Sequence, residues 1–232
     1  MEPRQEQLLN LVIENHIKLA EPIGSKFLVS EVGLDWSEAT VRNELRALEE
    51  SGFLTHPHTS AGRIPTAQGY RYYVDHAALN DFKLPKSEEK KLEEAAGQAA
   101  TPETVSKNIA KSLVDIAEEA VLLAFSPDRV YYTGLSTLFR KPDFADLNLV
   151  ADVSSIFDRC EEALDGFFDE VGAEPRVFIG AEHGFGDILS IIAIRCGTNN
   201  QSLLALVGPQ RMEYGANWAL IKKAHQLYTS YV

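Results

Sequence analysis

This sequence has few cysteines and no long apolar run, and each of these features excludes some classes of protein. The 232 residues include two cysteines, Cys160 and Cys196, too few for a disulfide framework or a four-cysteine metal site. No stretch approaches the ~18 uninterrupted apolar residues that a membrane helix requires. The N-terminal MEPRQEQLLNLVIENH carries charges throughout its apolar part, unlike a secretory signal. We expect a cytoplasmic globular protein with reduced cysteines and no membrane partner.

Positive charge is also in short supply. Lysine and arginine number 22 against 34 aspartates and glutamates, and the net charge is -12, which argues at first sight against a polyanionic partner such as DNA. The carboxylates are unevenly spread, however. Residues 51–74 contain none, although Arg63, Arg71, His56 and His58 lie there. This stretch can therefore present a neutral-to-positive footprint within an acidic protein.

The first 52 residues predict three helices, the last two close together. Apolar residues recur at helical spacing over Gln5–Leu19, and a short second helix is predicted over Gly24–Val32. The third helix opens near candidate N-caps at Asp35 and Ser37 and closes at Gly52. Two helices joined by a tight glycine-containing turn predict a helix-turn-helix.

The outward face of the third helix carries side chains that suit a major groove. At 100° per residue, Val41, Leu45 and Leu48 share the side that must face the core. The opposite side presents a small residue, an amide and two guanidinium groups, with a hydroxyl on the flank: Ala39, Asn43, Arg42, Arg46 and Thr40. Such groups can read base edges and phosphates. A solvated helix face without a ligand is the alternative that the pattern leaves open.

The segment FLTHPHTSAGRIPTAQGYRYYVD predicts a short hairpin followed by a helix from about Thr66. Its strands are expected near Phe53–Thr55 and Arg63–Ile64, and the loop between them is rich in hydroxyls, histidine and arginine. A carboxylate-free loop of this kind can lie along a phosphate backbone or enter a minor groove. The residues assigned to this contact are His56, His58, Thr59, Ser60 and Arg63.

Several neighbouring side chains are further candidates for DNA contact. Ser37, at the start of the third helix, is placed for a phosphate. Ser25 and Lys26 either contact the DNA backbone or only cap the second helix, and Tyr70 and Arg71 either reach phosphate or only brace the hairpin. The His-x-His spacing in the hairpin suggests a metal, but no cysteine or third histidine is nearby, so we expect no metal site.

The second half of the chain predicts an α+β domain. Residues 80–105 contain the polar runs PKSEEKK and AAGQAATPE and predict a polar helical linker between domains 1–79 and 106–232. A helix is predicted over Ile156–Val171, and the last ~15 residues predict another. Three apolar, β-branched runs predict an antiparallel sheet: Arg176–Ile179, Ile188–Arg195 and Ser202–Val207.

A helix predicted from Thr101 and Pro102 onwards carries an apolar stripe. Its members alternate at intervals of four and three residues, the spacing of a coiled-coil seam: Ile109, Leu113, Ile116, Ala120 and Leu123. Because the stripe covers only about two heptads, it predicts either an intrachain core helix or a dimer contact.

Motifs for catalysis are missing at readable spacing. The glycine-rich GAEHGFGD, from Gly180 to Asp187, lacks the Gly-Lys-Ser/Thr ending of a phosphate loop and predicts a turn. No nucleophile, base and orienting group stand at a spacing that identifies a catalytic site. We therefore expect no enzyme and no cofactor.

Three stretches, EPIGSKFL, SEATVRNELRALEESGFL and HPHTSAGRIPTAQGYRYYVD, resemble the winged-helix region of the HrcA family of heat-inducible transcription repressors. Weaker similarity continues in RVYYTGLSTLFRKPDFAD and from RVFIGAEHG to VGPQRMEYG. The resemblance implies an N-terminal winged helix-turn-helix domain followed by a reduced GAF-like α+β domain with an antiparallel sheet. The expected DNA contacts are then Ser25, Lys26, Ser37, Thr40, Arg42, Asn43, Arg46, His56, His58, Thr59, Ser60, Arg63, Tyr70 and Arg71.

The resemblance also implies a function. A repressor of this family binds an inverted-repeat operator upstream of chaperone genes as a homodimer, is released on heat shock, and depends on a GroEL-type chaperonin for its active form. A metabolite-responsive regulator, with the C-terminal domain as a small-molecule sensor, is the main alternative. A chaperonin-binding protein that has lost operator reading is a third.

The sequence departs from the family pattern in one place. SLVDIAEEAVLLAFSPDRVYYTG runs without interruption where members of the family carry an inserted dimerisation domain. We therefore expect a shortened member. In it, the stripe from Ile109 to Leu123 and the C-terminal helix are expected to form the dimer contact, because a two-fold operator requires a two-fold protein.

Overall fold

The chain folds as two units, Met1–Ala77 and Ala78–Val232, in a computed structural model. The division lies close to the change of composition near residue 80. Two of the expected DNA contacts, Thr59 and Ser60, fall outside the residues that the structure describes. The described residues, with the side chain of Tyr231 left out, are 1–58, 61–97, 101–164, 166–197 and 201–231.

The described part of the first unit contains four helices and a two-stranded antiparallel sheet. They are α1 (Pro3–Leu19), α2 (Ser25–Ser30), α3 (Glu38–Glu50), β1 (Leu54–Thr55), β2 (Ile64–Pro65) and α4 (Ala67–His76). The helices predicted over 5–19 and 24–32 are confirmed within a few residues at each end. Helix α3 begins at Glu38 because Ser37, rather than Asp35, accepts the backbone N–H of Thr40 at 3.1 Å.

The core of the first unit forms where the apolar sides of α1 and α3 are buried. The fully or almost fully buried residues are Leu8, Leu9, Val12 and Ile13 on α1, and Val41, Leu45 and Leu48 on α3. Burial of each such side chain stabilises the fold by about 1.5–3 kcal/mol. The rotation of α3 about its own axis is therefore fixed by its core side.

The hairpin docks on the start of α2 through backbone contacts. Ile23 and Arg63 exchange two N–H···O bonds of 2.8 Å. Gly62 lies so close that a Cβ there would stand 2.5 Å from the carbonyl carbon of Ile23. The glycine in the predicted turn is thus required by close backbone approach.

The described part of the second unit contains seven helices, five strands and three short 3₁₀ turns. The helices are α5 (Lys86–Gly97), α6 (Pro102–Ala117), α7 (Leu135–Leu138), α8 (Leu147–Asp158), α9 (Cys160–Leu164), α10 (Phe167–Glu170) and α11 (Tyr214–Tyr231). The strands are β3 (Ala120–Ser126), β4 (Arg129–Thr133), β5 (Arg176–Ile179), β6 (Leu189–Cys196) and β7 (Ser202–Pro209). The turns are Leu79–Asp81, Pro142–Phe144 and Gly180–Glu182.

All five strands form one antiparallel sheet in the order β4-β3-β7-β6-β5. Side chains on one face, such as Leu122 and Ala205, pack in a cluster with Phe157, Phe167 and Phe178. Helices α6 and α11 contact strands of the same sheet. The second unit is therefore α+β with an antiparallel sheet, as predicted, and the three predicted strands correspond to β5, β6 and β7.

The helix predicted over Ile156–Val171 is wrong as a single element. It is divided into the end of α8, all of α9 and all of α10. Gly166 has a φ of +81° just before α10, a conformation that does not occur inside a right-handed helix. The apolar spacing alone did not reveal these interruptions.

The helix predicted to continue through Leu123 is also wrong. Helix α6 ends at Ala117, and Glu118 takes up a left-handed conformation with a φ of 53°. The chain then continues as β3, whose side chains are buried on both faces of the sheet. A short apolar run buried in this way does not show whether it is helix or strand.

The expected dimer contact is wrong for the same reason. Its members lie inside one chain: Ile109, Leu113, Ala120 and Leu123 are 0% exposed, and Ile116 is partly buried. The four fully buried side chains have no surface left for a second copy. The alternative of an intrachain core is therefore correct.

The segment expected as a polar linker, 80–105, belongs to the second unit. It includes α5, which contacts α6 and α11. Leu92 and Ala96 of α5 are buried, whereas its lysines are exposed. The high charge of this segment is therefore explained by the solvent-exposed side of α5, whose other side is packed against the rest of the second unit.

Glu119, just before β3, is a buried carboxylate. Its side chain is 3% exposed and lies 2.5 Å from the ammonium group of Lys141. Asp143, two residues after Lys141, accepts hydrogen bonds from Arg211 at 2.6–2.9 Å. Burial raises the pKa of the Glu119 carboxyl to about 7, because desolvation outweighs the lowering effect of Lys141. The charged carboxylate therefore weakens the second unit at neutral pH.

Glu119→Gln should reduce the loss of stability with rising pH. Protonated Glu119 stabilises the fold fully below pH 4.5, and this contribution is lost as the pH rises to about 7. Between pH ~5 and ~8, the free energy of unfolding of the unsubstituted protein should fall by about 2–3 kcal/mol more than that of the variant. Urea unfolding at both pH values measures this, with Glu118→Gln, an exposed neighbour, as the control. Equal pH dependence in all three proteins would contradict the assignment.

Gly62→Ala should destabilise the first unit. The new methyl group would overlap the backbone of Ile23, and such overpacking costs about 1–3 kcal/mol. Gly24→Ala is the matched control, since a Cβ at Gly24 meets nothing within 4 Å, and its effect should stay within about 0.5 kcal/mol. Chemical unfolding of both variants measures the difference, and equal stabilities would show that the hairpin does not need this close approach.

Candidate nucleic-acid interface

The outward side of α3 is the centre of the candidate interface. Because Val41, Leu45 and Leu48 are buried, Arg42, Asn43 and Arg46 are exposed. The side chains of Arg42 and Arg46 are 69% and 75% exposed. Two guanidinium groups and an amide therefore face solvent over one helical turn, where they can donate to phosphates or base edges.

Ser37 and Thr40 lie at the N-terminal end of this face. The hydroxyls of the two residues are 2.8 Å apart, and the Ser37 oxygen accepts the Thr40 backbone N–H. Ser37 is exposed and Thr40 is half-buried. The expected position of Ser37 at a helix N-terminus is thus observed, and in the unbound protein its hydroxyl serves as the cap.

Carboxylates on α3 hold the two arginines in the unbound protein. Glu38 accepts from Arg42 at 2.5 Å, and Glu50 accepts from Arg46 at 2.9 Å. These exposed pairs of the i,i+4 type are worth only about 0.3–0.5 kcal/mol. A phosphate group can therefore displace these carboxylates. In the unbound protein the ion pairs limit the motion of the guanidinium groups.

Ser25 and Lys26 lie at the start of α2, beside α3. The Ser25 hydroxyl donates to Glu38 at 3.3 Å and does not cap α2, whose N-cap is Gly24. Lys26 is exposed. A cavity of about 330 Å³ brings these residues together with the hairpin; its lining is Ile23, Gly24, Ser25, Lys26, Arg42, Leu45, Ala61, Gly62 and Arg63.

The hairpin is tied to α3 by Glu49, which sequence reasoning missed. Arg63 donates to Glu49 at 2.8 Å, and the His56 ring bonds to the other oxygen of the same carboxylate. The Arg63 and Glu49 side chains are each 21% exposed. Residues 51–74 contain no carboxylate of their own, but this one reaches them from the preceding helix. Arg63 therefore anchors the base of the hairpin, whereas His58 is exposed nearer its tip.

Tyr70 is wrong as an expected phosphate contact. It is 1% exposed, and its hydroxyl lies 2.6 Å from Nδ1 of His16 on α1. Arg71 is half-buried and lies 3.6 Å from Asp75. A side chain inside the core cannot reach a ligand, and His16, the hydrogen-bond partner of Tyr70, lies on α1 and not on the hairpin.

The structure thus assembles part of the expected set on one side of the first unit. Within the described residues, the members that are exposed or half-buried beside α3 or the hairpin are Ser25, Lys26, Ser37, Thr40, Arg42, Asn43, Arg46, His56, His58 and Arg63. Glu38 and Glu49 are the residues that the sequence reasoning did not assign. The four-residue spacing of Glu38 and Arg42 could have predicted their ion pair from the sequence. The contact of Glu49 with the hairpin could not, because it depends on how the hairpin folds back.

The described residues offer neither a cluster of metal ligands nor a helix that could cross a membrane. Among the described residues, no cluster of three or more His, Cys, Asp or Glu side chains could hold a metal ion. No helix in those ranges has both the length and the apolar character that a bilayer crossing requires.

A solved structure shares the fold of the chain. The crystal structure of a hypothetical protein at 2.2 Å resolution superposes with a TM-score of 0.75, covering 100% of this chain and 99% of the other at 17% sequence identity. At this identity the likeness concerns the fold alone.

Relatives identify the family. The heat-inducible transcription repressor HrcA of Tetragenococcus halophilus is 48% identical over 95 residues, which cover 41% of this chain and 27% of the relative. The repressor of the same name from Xanthomonas axonopodis pv. citri is 41% identical over 145 residues, which cover 62% of this chain and 37% of the relative. The matches thus span less than two-fifths of these relatives. The family model of the HrcA protein C-terminal domain matches residues 76–216, more than half of the sequence. The resemblance found in the motifs is confirmed, and the chain belongs to the HrcA family.

Proposed function

We propose that this chain is a sequence-specific DNA-binding repressor of heat-shock genes. The observation that carries the proposal is the exposed row of Arg42, Asn43 and Arg46 on a helix whose other side is locked in the core. In this assignment α2 and α3 form the helix-turn-helix, and β1 and β2 form the wing. Helix α3 enters the major groove, and the hairpin lies along the phosphate backbone.

The two units then have separate roles. Residues 1–77 act as the winged-helix DNA-binding domain, and residues 78–232, including the segment first expected as a linker, as a reduced GAF-like domain for dimerisation and regulation. Both relatives described above are named heat-inducible transcription repressors, which supports control by heat and not an enzymatic role. Release on heat stress and dependence on a GroEL-type chaperonin are part of the same proposal.

The operator in this proposal is an inverted repeat bound by a homodimer. Each recognition helix must meet an equivalent half-site, so two copies are required. The apolar stripe of α6 is already used inside one chain, so the dimer forms through another surface. Footprinting on chaperone promoters of the source organism tests the proposal: protection of two half-sites about one helical turn apart is expected, and absence of any protected site would refute it.

A metabolite-responsive function gains no support from the second unit. A cavity of about 620 Å³, of a size that small ligands occupy, lies beside α8, α9 and α10 and is lined in part by Arg159, Glu162 and His183. Both ring nitrogens of His183 are used within the protein, by the carbonyl of Leu189 at 3.0 Å and the N–H of Phe185 at 3.1 Å. Burial lowers the pKa of His183, and these two hydrogen bonds explain the position of the ring without a ligand.

Arg42→Ala should weaken operator binding and relax base preference. Loss of a bidentate base contact costs about 1–3 kcal/mol and affects one position of the site. Fluorescence anisotropy with the footprinted operator and its single-base variants measures both effects. Lys18→Ala, an exposed lysine on α1, is the matched control for the loss of one charge.

A double substitution separates two causes of that loss. Arg42→Ala also leaves Glu38 without its cation, and the free carboxylate would repel phosphate. If the loss is due to the base contact, Glu38→Gln combined with Arg42→Ala should stay as weak and as unselective as Arg42→Ala alone. Full recovery of affinity and selectivity in the double variant would contradict a base contact by Arg42.

A further inference from the structure

A groove in the second unit collects positive charge in an otherwise acidic part of the chain. It has a volume of about 400 Å³ and lies between the segment 80–89 and α11. The side chains that define it, here called the lysine groove, are Phe82, Lys83, Lys86, Trp218, Lys222 and Lys223. Four of the nine lysines after residue 77 line this one place. Residues 77–232 carry 15 basic and 23 acidic side chains, so the clustering runs against the average charge.

The floor of the lysine groove is fixed by hydrogen bonds. The side-chain oxygen of Asn80 accepts from the Trp218 indole at 3.2 Å and from the Lys222 ammonium at 3.1 Å. Lys223 donates to Glu93 at 2.6 Å. Two of the four ammonium groups are thus held in place on α11, and these two lysines have little side-chain freedom left to lose when an anion binds.

The rim of the groove is available for an anion. Lys83 and Lys86 are exposed and, among the residues that the structure describes, neither takes part in an ion pair. Glu89 is a carboxylate in the lining, so the lysines outnumber the acids there. Phe82 is 50% exposed and lies against Gly215, where any side chain would overlap its ring. Contact with a polyanion would pair the Lys83 and Lys86 ammonium groups with negative charge and would also cover the exposed ring of Phe82.

The chemistry of the groove favours a long anion over a single small one. It is open and lined by lysines, which act as point charges without the planar fork by which arginine recognises one phosphate or base.

We propose that the lysine groove binds the phosphate backbone of duplex DNA. The inference rests on the proposed function and adds a second, sequence-independent contact to it. Such a contact strengthens binding to any duplex equally and leaves base preference unchanged, because phosphates carry no sequence information.

The test compares two double substitutions that remove the same charge from the same region. K83Q/K86Q removes the two exposed lysines of the groove, and K90Q/K91Q removes two exposed lysines of α5 that lie outside it. Affinity for an operator embedded in a longer duplex is measured at several salt concentrations. The slope of log affinity against log salt should become shallower by about 2 per protomer for K83Q/K86Q. It should change by much less for K90Q/K91Q.

The remaining outcomes separate the two proposals. In K83Q/K86Q the ratio of operator to scrambled-duplex affinity should equal that of the unsubstituted protein. Equal salt slopes for the two double variants would overturn the inference. Heparin serves as a second polyanion, and if K83Q/K86Q loses heparin binding while its DNA binding is unchanged, the inference is also overturned. If the unsubstituted protein itself shows no preference for the operator, the proposed function fails first.

Discussion

The buried side of α3 is the constraint on which the interface depends. Val41, Leu45 and Leu48 can satisfy the core in only one rotation of the helix, and that rotation exposes Arg42 and Arg46. The arginines do not have to be held outward by contacts of their own. Weak pairs with Glu38 and Glu50 are enough to limit their motion without competing strongly with a phosphate.

The hairpin follows from the same helix. Glu49, on the last turn of α3, holds Arg63 and His56, and the backbone of Arg63 pairs with Ile23 before α2. Helix, turn and hairpin are thereby connected through one carboxylate and one close glycine contact. Residues 51–74 contain no carboxylate, and the acid at the base of the hairpin comes from the neighbouring helix.

The second unit uses its apolar residues differently from what their spacing indicated. The spacing of Leu113 and Leu123 in the sequence predicts one helical stripe, yet Leu113 lies on α6 and Leu123 on β3. The left-handed residue Glu118 separates them, and a glutamate gives no sequence signal for that conformation, as a glycine would. Buried Glu119 is equally unpredictable, because its environment depends on Lys141 and Gly208, which are distant in sequence.

Local features were therefore predictable and long-range ones were not. The amphipathic period of α3, the turn at Gly62 and the three later strands could be predicted because their signals lie within a few residues. The burial of Tyr70 against His16 and the reach of Glu49 to Arg63 depend on how separate elements pack. The spacing therefore predicted which side chains of α3 are exposed, while the contacts of the individual members depended on the fold.

Hydrogen exchange of the full chain with and without a chaperone-promoter duplex tests the central claim most directly. We expect DNA to slow the exchange of backbone amides from Thr40 to Arg46 and in the hairpin strands β1 and β2, with little change in the sheet of the second unit. Unchanged exchange in α3 and in the hairpin, at a duplex concentration that saturates binding, would contradict the claim that this helix reads DNA.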